Sequence, residues 1–129
     1  MEAPHRPRIL CVDDDAAIRD VVGILLRNEG YLVETATDGM QAWHRLTSGG
    51  EPVDLVVTDN EMPELSGLAL VERIRSAGIS VKVVMFSGFL NQLHEERAKE
   101  LPVDALVRKG SGPVVLVKVV NELIGPGAT

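Results

Sequence analysis

The sequence predicts a doubly wound α/β fold, with a five-stranded parallel sheet between two layers of helices. Short apolar runs alternate strictly with longer helical segments, five times along the chain. The apolar runs show little alternation of polar and apolar residues, which is typical of strands buried on both faces of a parallel sheet. Right-handed crossovers between such strands place helices on both faces. Ligand sites in folds of this kind lie at the carboxyl ends of the strands.

The first half of the chain predicts two strand–helix units. Residues 8–12 form an apolar run that is stopped by three aspartates. Apolar residues then recur at spacings of three and four, which predicts a helix that ends at Gly30. A second strand at 31–36 and a second helix at 38–46 follow, and a glycine-containing segment closes that helix.

The second half predicts three more units, of which the last contains the most ambiguous element. Residues 112–125 are rich in valine, as strands often are. The length of this segment, its proline at the first helical position and the alternation of the chain favour a helix. Its apolar residues would cover more than one face, so it is either a deeply packed helix or a docking surface for a partner or a second copy. The strands and helices of these units lie at 53–59 and 66–78, at 81–87 and 91–101, and at 103–107 and 112–125.

Length and composition predict one globular domain. We expect residues 1–129 to form a single domain with a core of about 8–124, short loose termini and no output domain. The net charge of −6 repels nucleic acid and anionic membranes, so we expect neither as a direct partner. The single cysteine, Cys11, excludes an internal disulfide and is expected in the core. The N-terminus lacks the apolar segment of a signal peptide, which favours a cytoplasmic location.

Polar side chains follow four of the five predicted strands. Because the carboxyl ends of parallel strands meet at one edge of a sheet, we expect these side chains to lie close together. The cluster would combine carboxylates with one hydroxyl and one ammonium group. Its members are Asp13, Asp14 and Asp15 after the first strand, Asp59 after the third, Ser87 after the fourth and Lys109 after the fifth.

This set of groups predicts phosphoryl transfer to an aspartate. Clustered carboxylates raise one another's pKa values unless a cation intervenes, and Mg²⁺ prefers oxygen ligands of this kind. An aspartate can attack phosphorus and form an acyl phosphate. Mg²⁺, a lysine and a hydroxyl would then stabilise the negative charge on the transferred group. The sequence contains no Walker-type phosphate loop, so a nucleotide is not the obvious donor.

Each of these residues, taken alone, also has an ordinary structural interpretation. Asp15 is expected to cap the first helix, and Ser87 would suit the same role for a later helix. Asp59 could be a turn residue, and Lys109 a solvated surface lysine. The arrival of a required group at each of four strand ends favours a shared site over four separate local roles.

Four segments, "ILCVDDD", "DLVVTDNEMPELSG", "VVMFSG" and "LVRKG", stand in an order and spacing that resemble the receiver domain of two-component response regulators. The resemblance covers nearly the whole chain. It implies a flavodoxin-like (βα)5 fold with the strand order 2-1-3-4-5. It also implies a phosphorylation-dependent signalling switch that catalyses its own aspartyl phosphorylation and hydrolysis, and is not a turnover enzyme.

The resemblance implies a Mg²⁺ cofactor and its ligands. Asp14 and Asp59 would bind the ion directly, and Asp13 would hold it through a water molecule. Glu61 would contribute its backbone carbonyl.

The resemblance further implies the roles of the remaining groups and the partners. Asp59 would be the phosphoacceptor, Ser87 the hydroxyl that moves toward the phosphoryl group, and Lys109 the cation that pairs with its oxygens. The donor would be a phosphohistidine on a histidine kinase or phosphotransfer protein. The target would be a downstream protein or an effector domain outside this chain, and a homodimer through the last strand and helix is a further expectation.

Two positions depart from the family pattern, which keeps an alternative open. Leu106 stands where the family usually has an aromatic ring that reports the movement of the hydroxyl. Gly110 stands where the family usually has a proline after a cis bond, so we expect a trans bond with a rearranged loop or a strained cis bond. These departures support a pseudo-receiver, an interaction module that does not switch. A small phosphatase with an aspartate nucleophile is a third interpretation, which Glu61 disfavours because such enzymes usually have an aspartate at that position.

Overall fold

The computed structural model describes residues 6–88 and 103–126, which contain five strands and four helices. The predicted charged helix at 91–101 lies outside the described residues. A short 3-10 turn at Lys109–Ser111 follows the fifth strand. The strands are β1 (Arg8–Val12), β2 (Leu32–Ala36), β3 (Leu55–Thr58), β4 (Lys82–Ser87) and β5 (Ala105–Arg108). The helices are α1 (Ala16–Asn28), α2 (Gly39–Thr47), α3 (Gly67–Ser76) and α4 (Pro113–Ile124).

The five strands form one parallel sheet in the order β2-β1-β3-β4-β5, which confirms the predicted fold class and strand order. The register brings the carboxyl ends of the central strands level. Main-chain bonds continue one residue beyond the regular pairing, from the Asp13 N–H to the Ala36 carbonyl at 3.2 Å and from the Asp59 N–H to the Val12 carbonyl at 3.0 Å. Asp13 and Asp59 therefore leave the sheet side by side.

Successive strand residues face opposite sides of the sheet and form two separate cores. Because a strand alternates its side chains, each strand contributes to both layers. Cys11 is buried in the core beneath α1 and α4, as predicted. Beneath α1 and α4, the other main strand residues are Ile9, Leu55, Val57, Val84 and Phe86. Beneath α2 and α3, the main strand residues are Leu10, Val12, Val56, Val83 and Met85.

Side-chain caps determine where three helices begin. Asp15 accepts a hydrogen bond from the Ala17 N–H, as its predicted capping role requires, and Asp38 and Ser66 cap α2 and α3 in the same way. At the other end of α1, Gly30 has a φ of +97°, a conformation that glycine adopts without strain.

The last element is a helix, α4, as its length and its proline predicted. Leu116 and Val120 are fully buried against the sheet. Val114 and Val115 remain 72% and 40% exposed, so the helix has both a packed face and an apolar surface. No helix in the described ranges is long and apolar enough to cross a membrane.

Strands β3 and β5 begin two residues later than the sequence suggested, and the reason is the same in both. Asp54 accepts a hydrogen bond from the Arg8 N–H through its side chain at 2.8 Å. Asp104 accepts one from the Val83 N–H in the same manner, also at 2.8 Å. In each case a carboxylate replaces the main-chain carbonyl as the partner, so regular pairing starts at the next residue.

Candidate functional site

Three carboxylates converge at the carboxyl edge of the sheet. One oxygen each from Asp13, Asp14 and Asp59 lies within 4.8 Å of the others. Asp13 and Asp59 are only 2% and 7% exposed, whereas Asp14 faces solvent. They line an open cleft of about 350 Å³ together with Asp15, Glu61, Ser87, Gly88 and Lys109. All of the sequence-predicted site residues therefore line one cleft.

Lys109 reaches into this cleft from the end of β5. Its Nζ lies 2.8 Å from Asp13 Oδ2 and 3.4 Å from Asp59 Oδ2. Burial lowers the pKa of the ammonium group, but the hydrogen bonds and charges of both aspartates outweigh burial and raise the pKa above its ordinary value. The lysine is therefore a fixed cation between two buried carboxylates.

The Lys109–Gly110 bond is trans, which is the first of the two geometries expected for this position. The chain continues as the 3-10 turn, in which the Gly112 N–H donates to the Lys109 carbonyl at 3.0 Å. Gly110 has open space where a side chain would begin. The lysine thus reaches the aspartates from a trans, glycine-containing loop.

The pKa of the Asp59 carboxyl group is raised above its ordinary value in this cluster. Burial raises the pKa of its carboxyl group, and the nearby Asp13 raises it further. Lys109 and the Asn60 N–H, which donates to Asp59 Oδ1 at 2.8 Å, oppose these effects without cancelling them. One lysine does not compensate the negative charge of three converging acids, so the cluster favours an additional cation.

The loop after Asp59 is held by contacts that the sequence did not reveal. Asn60 accepts from the start of α3 twice, through its carbonyl from the Gly67 N–H at 3.0 Å and through its side-chain oxygen from the Leu68 N–H at 3.1 Å. The Thr58 hydroxyl donates to the Asp59 carbonyl at 2.8 Å. An asparagine after a strand resembles an ordinary turn residue, and only its burial distinguishes it here.

The same loop makes a tight turn at Glu64. The Leu65 N–H donates to the Pro63 carbonyl at 2.8 Å, and Glu64 between them has a φ of +70°. Such a three-residue turn is rare and strained for a residue with a side chain. Gly39, at the start of α2, lies against Leu65 so closely that a Cβ atom would clash with its carbonyl. The loop is therefore braced between α2 and α3.

Ser87, Glu61 and Leu106 are the remaining positions that the sequence singled out. Ser87 is the final residue of β4 and is 1% exposed, and it lines the cleft with Glu61. Leu106 is partly buried and packs against the core beneath α2 and α3. The position that an aromatic ring would occupy is thus filled by an aliphatic side chain within the fold.

Comparisons with known proteins agree with this geometry. The family model described as the response regulator receiver domain matches residues 9–121. The chain is 32% identical to a gliding motility regulatory protein of Myxococcus xanthus over 124 residues, which are 94% of this chain and 16% of that protein. It is 33% identical over 117 residues to the alkaline phosphatase synthesis transcriptional regulatory protein SphR of Synechococcus elongatus, covering 85% of this chain and 46% of that protein. The chain thus spans less than half the length of either relative.

The fold has a close counterpart among solved structures. The CheY-like response regulator receiver domain protein of Methanospirillum hungatei JF-1 superposes with a TM-score of 0.84 and is 28% identical. The superposition covers 92% of this chain and 93% of that one.

Proposed function

The chain belongs to the family of response regulator receiver domains, and we propose that Asp59 accepts a phosphoryl group from a phosphohistidine donor with the help of Mg²⁺. The family implies phosphorylation-dependent signalling and a switch, not a metabolic enzyme. The observation that carries the proposal is the convergence of Asp13, Asp14, Asp59, Ser87 and Lys109 in one cleft.

The transfer step uses the carboxylate of Asp59 as the nucleophile. A carboxylate oxygen attacks phosphorus, the new P–O bond forms as the P–N bond to the donor imidazole breaks, and the released imidazole nitrogen takes a proton from solvent. The product is an acyl phosphate on Asp59. The domain in this way catalyses its own phosphorylation, and water later hydrolyses the acyl phosphate.

Lys109 and Ser87 would stabilise the transferred group. The Lys109 Nζ already lies 3.4 Å from Asp59 Oδ2, so it is close to the oxygens of a phosphoryl group placed there. The Ser87 hydroxyl would donate to a second phosphoryl oxygen and draw the end of β4 toward the site. Donors that are fixed before the reaction stabilise developing charge without reorganisation.

The donor set suits Mg²⁺. Three carboxylates within 4.8 Å of one another, only one lysine among the residues that line the cleft, and the raised pKa of Asp59 all favour a hard divalent cation. Asp14 and Asp59 would hold the ion directly, Asp13 through water, and Glu61 through its backbone carbonyl. When bound, Mg²⁺ would neutralise negative charge on the transferred phosphoryl group.

The proposed output is a change in the surface around β5 and α4. Receiver domains interact with histidine kinases and with downstream effectors, and we propose a kinase or phosphotransfer protein as the donor here. Val114 and Val115 form an exposed apolar surface on α4, which supports docking to a downstream target or to a second copy. Sedimentation velocity with and without beryllofluoride tests the homodimer, and an unchanged monomer in both states would exclude it.

We also propose that residues 1–129 act as a single receiver domain with a core of about 8–124, in the cytoplasm. The family match from residue 9 to residue 121 supports this extent. Limited proteolysis tests it, because a fragment much shorter than the proposed core would contradict it. Cell fractionation tests the location.

Binding of a phosphoryl analogue tests the proposed function. Beryllofluoride mimics a phosphoryl group on an aspartate, and a ligand that binds only the folded protein raises the melting temperature. With Mg²⁺, we expect stabilisation of the wild-type protein and none of the Asp59→Asn variant. A wild-type protein that shows no Mg²⁺-dependent shift would instead support the pseudo-receiver.

A further inference from the structure

Arg19 closes a ring of hydrogen bonds around the solvent-facing acid of the site. The Asp15 N–H donates to Asp13 Oδ1 at 2.9 Å, and the Asp15 carbonyl accepts from the Arg19 N–H at 3.1 Å in the first turn of α1. The Arg19 guanidinium then reaches back and donates to the Asp13 carbonyl at 2.6 Å. Asp14 lies between the two aspartates that this ring holds.

Two contacts outside this ring also hold Asp13. The Asp13 N–H donates to the Ala36 carbonyl at the end of β2, and Asp13 Oδ2 contacts Lys109. Arg19 adds the contact to the carbonyl group, which belongs to the peptide plane that links Asp13 to Asp14. A fixed peptide plane restricts the directions in which the Asp14 side chain can leave the backbone.

We propose that Arg19 is a positioning residue for the Mg²⁺ site, which orients Asp14 by holding the Asp13 carbonyl. The inference rests on the proposed function, because it needs a metal bound by Asp14. Some residues orient a metal ligand without binding the metal themselves. Their replacement typically changes metal affinity by about ten-fold or more.

The charge of Arg19 and its hydrogen bond to the Asp13 carbonyl should affect Mg²⁺ affinity in opposite ways. A guanidinium close to a cation site repels the cation, so the loss of its charge alone would tighten Mg²⁺ binding. The loss of its positioning contact would weaken Mg²⁺ binding. The two effects have opposite signs, and the Arg19→Gln substitution removes both the charge and the contact.

The experiment is a calorimetric titration of the full chain with Mg²⁺ alone, without a phosphoryl donor. We expect Arg19→Gln to weaken Mg²⁺ binding by about ten-fold. Arg19→Lys retains a charged donor without the planar fork, so we expect it to weaken binding by a smaller factor. Arg27→Gln is the matched control, because it removes the same charge from α1 about 12 Å farther along the helix and should leave the affinity unchanged.

If neither Arg19→Gln nor Arg19→Lys weakens Mg²⁺ binding, the positioning role is overturned while the metal site stands, because Arg19→Lys keeps the charge and alters only the contact. If the wild-type protein does not bind Mg²⁺, the proposed metal site fails and the inference fails with it. Thermal unfolding in a chelator shows whether each variant is folded. Should Arg19→Gln be unfolded, Arg19→Lys decides by the same criterion, and wild-type affinity in that variant overturns the proposal.

Discussion

Gly67 packs directly against the backbone of Asp59, so that a Cβ atom at position 67 would clash with the Asp59 carbonyl oxygen. The obstacle is backbone, which cannot rotate away as a flexible side chain can. We predict that Gly67→Ala lowers the free energy of unfolding by about 1–3 kcal/mol, because overpacking forces the backbone to shift. Urea denaturation measures the change.

Gly110→Ala is the control for that prediction. A Cβ atom there meets no other atom within 4 Å, and the residue lies close to the same site. We expect it to change the free energy of unfolding by less than about 0.5 kcal/mol. Equal midpoints for Gly67→Ala and the wild-type protein would contradict the close packing of α3 against Asp59.

Lys109 is predicted to control the rate of phosphorylation. Lys109→Gln removes the cation 3.4 Å from Asp59 Oδ2, so it should slow phosphorylation by acetyl phosphate by about 100-fold, the usual effect of losing a charge-stabilising donor. Arg108→Gln, which removes the neighbouring and exposed cation, should leave the rate nearly unchanged. Similar rates for Lys109→Gln and Arg108→Gln would show that Lys109 does not act on the phosphoryl group.

The Glu34 carboxylate makes the stability of the fold depend on pH. The hydrogen bond from Arg45 lowers the pKa of Glu34, with a smaller contribution from Arg8 and in opposition to burial. The folded pKa therefore lies below the unfolded value of about 4.3, so the stabilisation is present above that pH and is lost as pH falls through the folded pKa. We predict that Glu34→Gln lowers the free energy of unfolding by about 1 kcal/mol at neutral pH. The difference from wild type should shrink once pH falls below the unfolded value of about 4.3, and it should disappear below the folded pKa.

Glu51→Gln is the control for the pH dependence, because Arg45 donates to the backbone carbonyl of Glu51, which the substitution retains. Urea denaturation between pH 3 and pH 7 provides the comparison. A constant difference between Glu34→Gln and wild type across that range would be inconsistent with the ion pairs of Glu34.

The positive φ of Glu64 predicts a stabilising substitution. Glycine adopts a φ of +70° without the steric cost that a side chain carries, so Glu64→Gly should raise the free energy of unfolding by about 1 kcal/mol. The same substitution at Glu72, inside α3, should lower it by about 1 kcal/mol, since glycine weakens a helix interior. Thermal denaturation of the two variants gives shifts of opposite sign if the turn is strained as described. Destabilisation by Glu64→Gly comparable with that by Glu72→Gly would refute the strain.

The sequence predicted the sheet and the strand-end groups because both follow from patterns that are local in the chain. Alternating units fix a parallel sheet, and such a sheet brings Asp13, Asp59 and Lys109 to one edge whatever the details of the loops. The contacts of Asn60 and Arg19 join side chains to backbone groups across loops, and no periodicity marks them. The late starts of β3 and β5 have a similar origin, since an aspartate that replaces a carbonyl in strand pairing looks like any other acid in the sequence.

The geometry at Gly110 was the main alternative that the sequence left open. A lysine followed by glycine allowed either isomer, and the structure has the trans bond. Leu106 is a different case, because the substitution itself was visible in the sequence. Only the fold shows that an aliphatic side chain fills that position against the core beneath α2 and α3.

The most direct test of Asp59 as the phosphoacceptor is the intact mass of the protein after incubation with acetyl phosphate and Mg²⁺. We predict the addition of one phosphoryl group to the wild-type protein, its absence when a chelator removes Mg²⁺, and its absence in Asp59→Asn. A wild-type protein that gains no phosphoryl group, or an Asp59→Asn variant that gains one at the wild-type rate, would contradict the assignment of Asp59 as the phosphoacceptor.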